Sequence, residues 1–160
     1  VTSVLIAALD GHAEMRVKEG ARLAADILSR LDLIEKLAAT VEERSPKCVE
    51  EYRARLEAKM QEILDNTMIE PQRILAEAAI YADKIAIDEE TVRLHSHIAQ
   101  FRDMLKSGGA IGRKLDFLVQ ELNREVNTMG SKANDLEITS TVVDIKAEIE
   151  KIREQVQNIE

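Results

Sequence analysis

The sequence predicts an all-α protein, with an elongated helical hairpin leading into a helical bundle, about six helices in a single region over 1–160. Three observations carry that expectation. Charged residues make up 32% of the chain and aromatics 2%, and Ala, Leu, Ile, Glu, Lys and Arg dominate, which is the balance of long helices rather than of sheets. Apolar residues recur at spacings of three and four along most of the length. Two prolines and six glycines leave few places to break the helices.

Residues 1–68 read as the hairpin. From about Thr2 to Arg44, one long helix or two nearly continuous ones are expected, with Leu23, Ile27, Leu31, Ile34, Ala38 and Val41 in a four-three pattern. Gly11 and Gly20 are weak points, each costing roughly 1 kcal/mol against Ala. Ser45-Pro46 reads as a new start, because Ser caps a helix and Pro suits its first position. The second arm then runs to about Leu64, with Val49, Tyr52, Leu56, Met60 and Ile63 inward, and Asp65-Asn66-Thr67 closes it.

Residues 69–160 read as the bundle. Pro71 opens a helix through about Ala86, with Ile74, Ala78, Tyr81 and Ile85 on one face. Asp88 is the expected N-cap of the next, which turns Leu94, Ile98, Phe101 and Leu105 inward and ends at Ser107-Gly108-Gly109. Gly112 to Ser131 forms another, whose stripe is Leu115, Leu118, Val119, Leu122, Val126 and Met129. After a polar turn to Asp135, the last helix runs from about Leu136 to Asn158. Its Ile138, Val142, Ile145, Ile149, Ile152, Val156 and Ile159 form a heptad seam of β-branched residues. Such a seam needs a covering helix, from within the chain or from another subunit.

A net charge of −8 gives no general attraction to nucleic acid or acidic membranes, though it leaves room for a local site. Cys48 is the only cysteine, so an internal disulfide is excluded and a reducing compartment, the cytoplasm, fits. No apolar run approaches the ~20 residues of a membrane span, and nothing resembles a cleavable signal.

The polar side of the Gly112–Ser131 helix is unusual. Arg113, Asp116, Gln120, Asn123, Arg124, Asn127 and Ser131 lie there, with Phe117 among them. A helix face that meets only water is commonly filled with Lys and Glu, whereas Asn, Asp and Ser are poor helix formers. This set suits hydrogen bonding to a polar ligand or a partner. On the preceding helix Glu90, Arg93 and His97 fall at one border of the stripe. They could hold a metal, grip a phosphate or move a proton, or simply pack. Asp88, Glu89 and Glu90 cluster at a helix start, where the dipole favours negative charge. Glu121 and Glu125 share the flank opposite Asp116. No zinc-type Cys/His spacing, phosphate-binding Gly loop or Ser/His/Asp triad is present.

GRKLDFLVQELNREVNTMGSKAND, followed by the closing IEKIREQVQNIE, resembles the C-terminal signature of the YicC/YloC family of bacterial endoribonucleases. RILAEAAIYADKIAIDEETVRLHSHIAQF also fits through Glu77, Asp88, Glu90, Arg93 and His97, and MRVKEG fits more loosely. Family members are longer, so the resemblance implies a C-terminal portion without the family's N-terminal region, whose activity can fall short of the whole. It implies a divalent-metal-dependent (Mn²⁺ or Mg²⁺) endoribonuclease acting on single-stranded RNA, assembled as a ring-like homo-oligomer, a hexamer. Carried over by position, Glu90, His97, Asp116, Glu121 and Glu125 become catalytic candidates, and Asp88, Glu90 and His97 metal ligands. Arg93, Arg113, Gln120, Asn123, Arg124 and Asn127 become RNA contacts. The rival expectation is a non-catalytic helical oligomerisation module, whose amide-rich face and heptad seam are both subunit contacts.

Overall fold

A computed structural model describes the backbone of residues 2–64, 70–109 and 111–158, with side chains from residue 9 onward except 63 and 64. The described residues form five helices: α1 (Thr2–Leu64), α2 (Pro71–Ile85), α3 (Asp88–Ser107), α4 (Gly112–Lys132) and α5 (Leu136–Val156). None of them is long and apolar enough to cross a membrane.

The expected hairpin is absent, because residues 2–64 are a single 63-residue helix that passes through Pro46. At 1.5 Å per residue α1 is on the order of 95 Å long. A proline inside a helix costs about 3 kcal/mol, since it removes one hydrogen bond and crowds the preceding turn. Two features offset that cost. Ile27, Leu31, Ile34, Ala38, Val41 and Cys48 are buried, and with half-buried Ser45 and Tyr52 they continue the four-three pattern across the proline without a change of phase. Pro46 itself is exposed beside exposed Glu42, so the carbonyl that loses its donor is on the water side. Arg44 also spans the proline, donating to both carboxylate oxygens of Glu51 (2.6 and 2.9 Å) and to Asp135 at the start of α5 (2.7 Å). The expected Asp65-Asn66-Thr67 turn, the Ile63 side chain and Ile159 lie outside the described residues.

The other elements form where the sequence placed them, with small shifts at the ends. Pro71 is the first residue of α2, whose Ile74, Ala78, Tyr81 and Ile85 are buried, with Tyr81 stacked on Tyr52 of α1 (centroids 3.9 Å apart). Ile87, not Asp88, occupies the cap position of α3, and Asp88 begins the helix without capping it. Gly108 and Gly109 take φ of +65° and +86°, a backbone open to glycine at little cost, and so turn the chain from α3 into α4. Asp135 caps α5, its carboxylate accepting from the Ile138 amide at 3.0 Å.

The heptad seam of α5 is internal. Ile138, Val142, Ile145, Ile149, Ile152 and Val156 are all buried, and α5 packs against α1 on one side and α4 on the other. Gly130 lets α4 approach closely, since a Cβ there would lie 3.1 Å from a Val142 methyl. The pairings Arg93–Glu125 and Lys132–Glu90 show that α3 and α4 run antiparallel. Arg30–Glu148 and Arg44–Asp135 show the same for α1 and α5. Residues 9–22 of α1 are exposed on every side, and His12, Arg16, Glu19 and Gly20 border a cleft with Gln155, Gln157 and Asn158 at the end of α5.

Candidate active site

The stripe of α4 is buried from Leu115 to Met129, which fixes where its other flanks point. One flank faces α3. There His97, half-buried, meets Glu121 and Glu125, and one ligand atom from each lies within 4.8 Å of the others. Donors each about 2.1–2.4 Å from a shared divalent ion stand at most about that far apart. It is the only such group of three or more His, Cys, Asp or Glu found among the described residues. The Nε2 atom of His97 is 3.9 Å from a Glu121 oxygen. Nδ1 of the same ring is buried with no hydrogen-bond partner, which is rare for a buried polar atom. The residues present therefore fit a divalent cation.

A chain of charges behind this group holds it in place. Arg93 donates through Nε to Glu125 at 2.8 Å, and its other nitrogens reach Glu89 (3.2 Å) and Glu90 (3.1 Å). Lys132 donates to Glu90, 2.9 Å from each carboxylate oxygen. Burial is the largest single influence on Glu90 and works against its charged form, but the Lys132 and backbone hydrogen bonds and the charges of Lys132 and Arg93 together hold the carboxyl below its usual range. Hydrogen bonds to Glu125 and Glu89 raise the Arg93 pKa. Glu90 and Arg93 are thus occupied with each other and their neighbours. Asp88 is exposed in the first turn of α3. The expected grouping of Asp88, Glu90 and His97 does not come together, and His97 instead joins two carboxylates of α4.

The next flank of α4 borders a groove of about 570 Å³ lined by Asp116, Gln120, Asn123, Arg124, Asn127 and, from α5, Arg153. Gln120 donates to Asp116 at 2.9 Å. Arg124 sits 3.5 Å from Glu121 and so joins the groove to the His97 group. Arg113 is exposed but outside the groove lining. Two participants escaped the sequence reading. Lys132 lies seven residues after Glu125, hence on the same flank, a signal that was there to be used. Arg153 carried none, because its place at the groove follows only from how α5 packs on α4.

Residues 41–160 match the model of the family described as endoribonuclease YicC-like, C-terminal. A Clostridioides difficile protein named probable endoribonuclease YicC is 50% identical over 148 residues, covering 92% of this chain and 50% of its own length. A Haemophilus influenzae protein of the same name is 41% identical over 146 residues, covering 91% of this chain and 50% of its own. The chain therefore spans about half the length of the curated relatives it matches. All of the His97 group and the groove fall within the matched residues, and the chain belongs to the YicC-like endoribonuclease family.

Proposed function

We propose that this chain forms the catalytic part of a divalent-metal-dependent endoribonuclease that cleaves single-stranded RNA. The observation that carries the proposal is the His97–Glu121–Glu125 group beside a polar groove, joined to it by Arg124. A bound cation supplies an activated water and relieves charge on the phosphoryl oxygens. The chain's own residues do the rest. His97, Glu121 and Glu125 would hold the ion, and one imidazole with two carboxylates suits Mn²⁺ better than Mg²⁺, which prefers oxygen and water. Arg93 fixes Glu125 beside the site through one of its carboxylate oxygens. Arg124 and Arg153 supply positive charge for the phosphates, and Gln120, Asn123 and Asn127 offer amides to the strand.

The family resemblance extends the proposal to a homo-oligomer, a hexamer, in the cytoplasm. With the α5 seam internal, subunit contacts would come from other surfaces, such as Leu75 and Ile80 of α2, which are 60% and 63% exposed.

The test is cleavage of a labelled single-stranded RNA with Mn²⁺, with Mg²⁺ and with chelator, run on the parent and on Glu125→Gln. Cleavage that needs the metal and falls at least 100-fold in the variant is expected. A parent that neither cleaves RNA nor gains thermal stability from Mn²⁺ overturns the proposal and leaves the chain as an oligomerisation module.

A further inference from the structure

The chain has four aromatic residues, two Tyr and two Phe. Tyr52 and Tyr81 stack on each other, and Phe101 is fully buried. Phe117 is the exception, with 58% of its surface exposed. A single exposed apolar side chain needs no explanation by itself, but the position of this one is informative. Phe117 precedes Glu121 of the His97 group by four residues, just over one helical turn and about 6 Å along the axis. Gln120 and Arg124 flank it on the groove side, so on α4 the ring occupies the ridge between the groove and the group. One turn is also about the span from a backbone phosphate to the base of its own nucleotide.

We infer that Phe117 is a stacking platform for one unpaired nucleobase of the RNA whose phosphate lies at His97, Glu121 and Glu125. The inference rests on the endoribonuclease reading of that group and names what the site recognises beside the phosphate. Its chemistry answers a difficulty in the composition. A chain of net charge −8 cannot draw affinity from general backbone electrostatics, whereas a phenyl ring binds the face of any base without regard to charge. The platform also selects for single strands. A base inside a duplex has both faces covered by its neighbours, while an unpaired base can turn one face to the ring.

The experiment compares the parent with Phe117→Ala, Phe117→Leu and Phe117→Trp, each with Mn²⁺. The substrates are a short single-stranded RNA and the same RNA with an abasic nucleotide beside the scissile phosphate. A 2-aminopurine at that position reports stacking by its quenching. From the range measured for base–aromatic stacking, Phe117→Ala and Phe117→Leu should lower kcat/KM on the intact RNA about 5- to 150-fold. Phe117→Trp should retain it. The abasic RNA should cost the parent a similar factor and cost Phe117→Ala little more, and quenching should disappear in Phe117→Ala alone among Ala and Trp. Mn²⁺ protection against heat and the salt dependence of binding should stay parental in all three variants. Three results overturn the inference: Phe117→Leu as active as the parent, equal abasic penalties in parent and Phe117→Ala, or a changed particle mass of the variants before RNA is added. The last would make the ring a subunit contact. A parent that neither binds nor cleaves RNA defeats the endoribonuclease reading first, and this inference with it.

Discussion

The α1–α5 and α3–α4 contacts are both antiparallel helix pairs with an apolar seam and charged borders, yet they close differently. Along α1–α5 the border cations Arg30 and Arg44 are each matched to acids. Arg30 reaches Asp26 and Glu148, both at 2.8 Å, and Arg44 reaches Glu51 and Asp135. Along α3–α4 the same kind of network binds Glu89, Glu90 and Glu125 to Arg93 and Lys132, then stops at His97, whose buried Nδ1 has no partner. A border that needs only to hold is charge-matched and saturated. On the proposed reading, the α3–α4 border keeps ligand atoms in hand for a cation.

The largest way to break this contrast is at the α5 seam. Ile149 is fully buried, and Ile149→Asp loses roughly 1.5–3 kcal/mol of apolar burial before the desolvation of a carboxylate is counted. We expect loss of the cooperative melt and of most helical CD signal. A helical variant of smaller particle mass would instead place the seam between subunits.

Acid should weaken the α1–α5 side next. Hydrogen bonding from Arg44 depresses the Asp135 and Glu51 pKa values, and hydrogen bonding from Lys151, with Arg30, depresses that of Glu148. Carboxyls with depressed folded pKa values contribute stability that is complete above their unfolded values, about 3.9–4.3, and lost as pH falls through the lower folded ones. Tm should therefore be flat with respect to these groups near neutrality and decline below about pH 4. The decline should be shallower in Arg44→Ala, which starts lower; a parental acid slope in that variant would remove Arg44 from the account.

On the α3–α4 side the contrast sharpens. His97→Ala removes a ring whose buried nitrogen makes no bond, so without metal its cost should be about 1 kcal/mol or less beyond lost packing. Mn²⁺ should raise the Tm of the parent and leave that of His97→Ala unmoved. Equal gains in both would remove His97 from the ligand set. The smallest effect belongs to the groove. Arg124→Ala should flatten the salt dependence of RNA affinity by about one phosphate contact, and Asn127→Ala should weaken affinity with the slope intact. Affinities measured across a salt series check both.

These pairs also show what could be read from the chain alone. Pro71, Gly108-Gly109 and Asp135 punctuate the helices because their backbone chemistry is local, and so α2 to α5 were legible to within a residue or a few. Ser45-Pro46 misled, since the same local chemistry also describes a proline tolerated inside a helix. The deciding signal was the unbroken phase from Val41 through Ser45 and Cys48 to Tyr52, which only a continuous helix preserves. His97, Glu121 and Glu125 were each legible as candidates. Their grouping was not, because adjacency along one helix favoured Glu90 as the partner of His97. The register of α3 against α4 brings Glu121 and Glu125 to the imidazole, and Lys132 claims Glu90.

The continuity of α1 has a mechanical side. Arg30 and Arg44 tie it to α5 at points about four turns apart on one face. Between them Arg102 of α3 holds Asp32 and Glu35. A rod pinned at three points on two neighbours cannot spin about its axis, and it pivots only by breaking a pin. A twist applied to α1 is therefore resisted by all of the pins together.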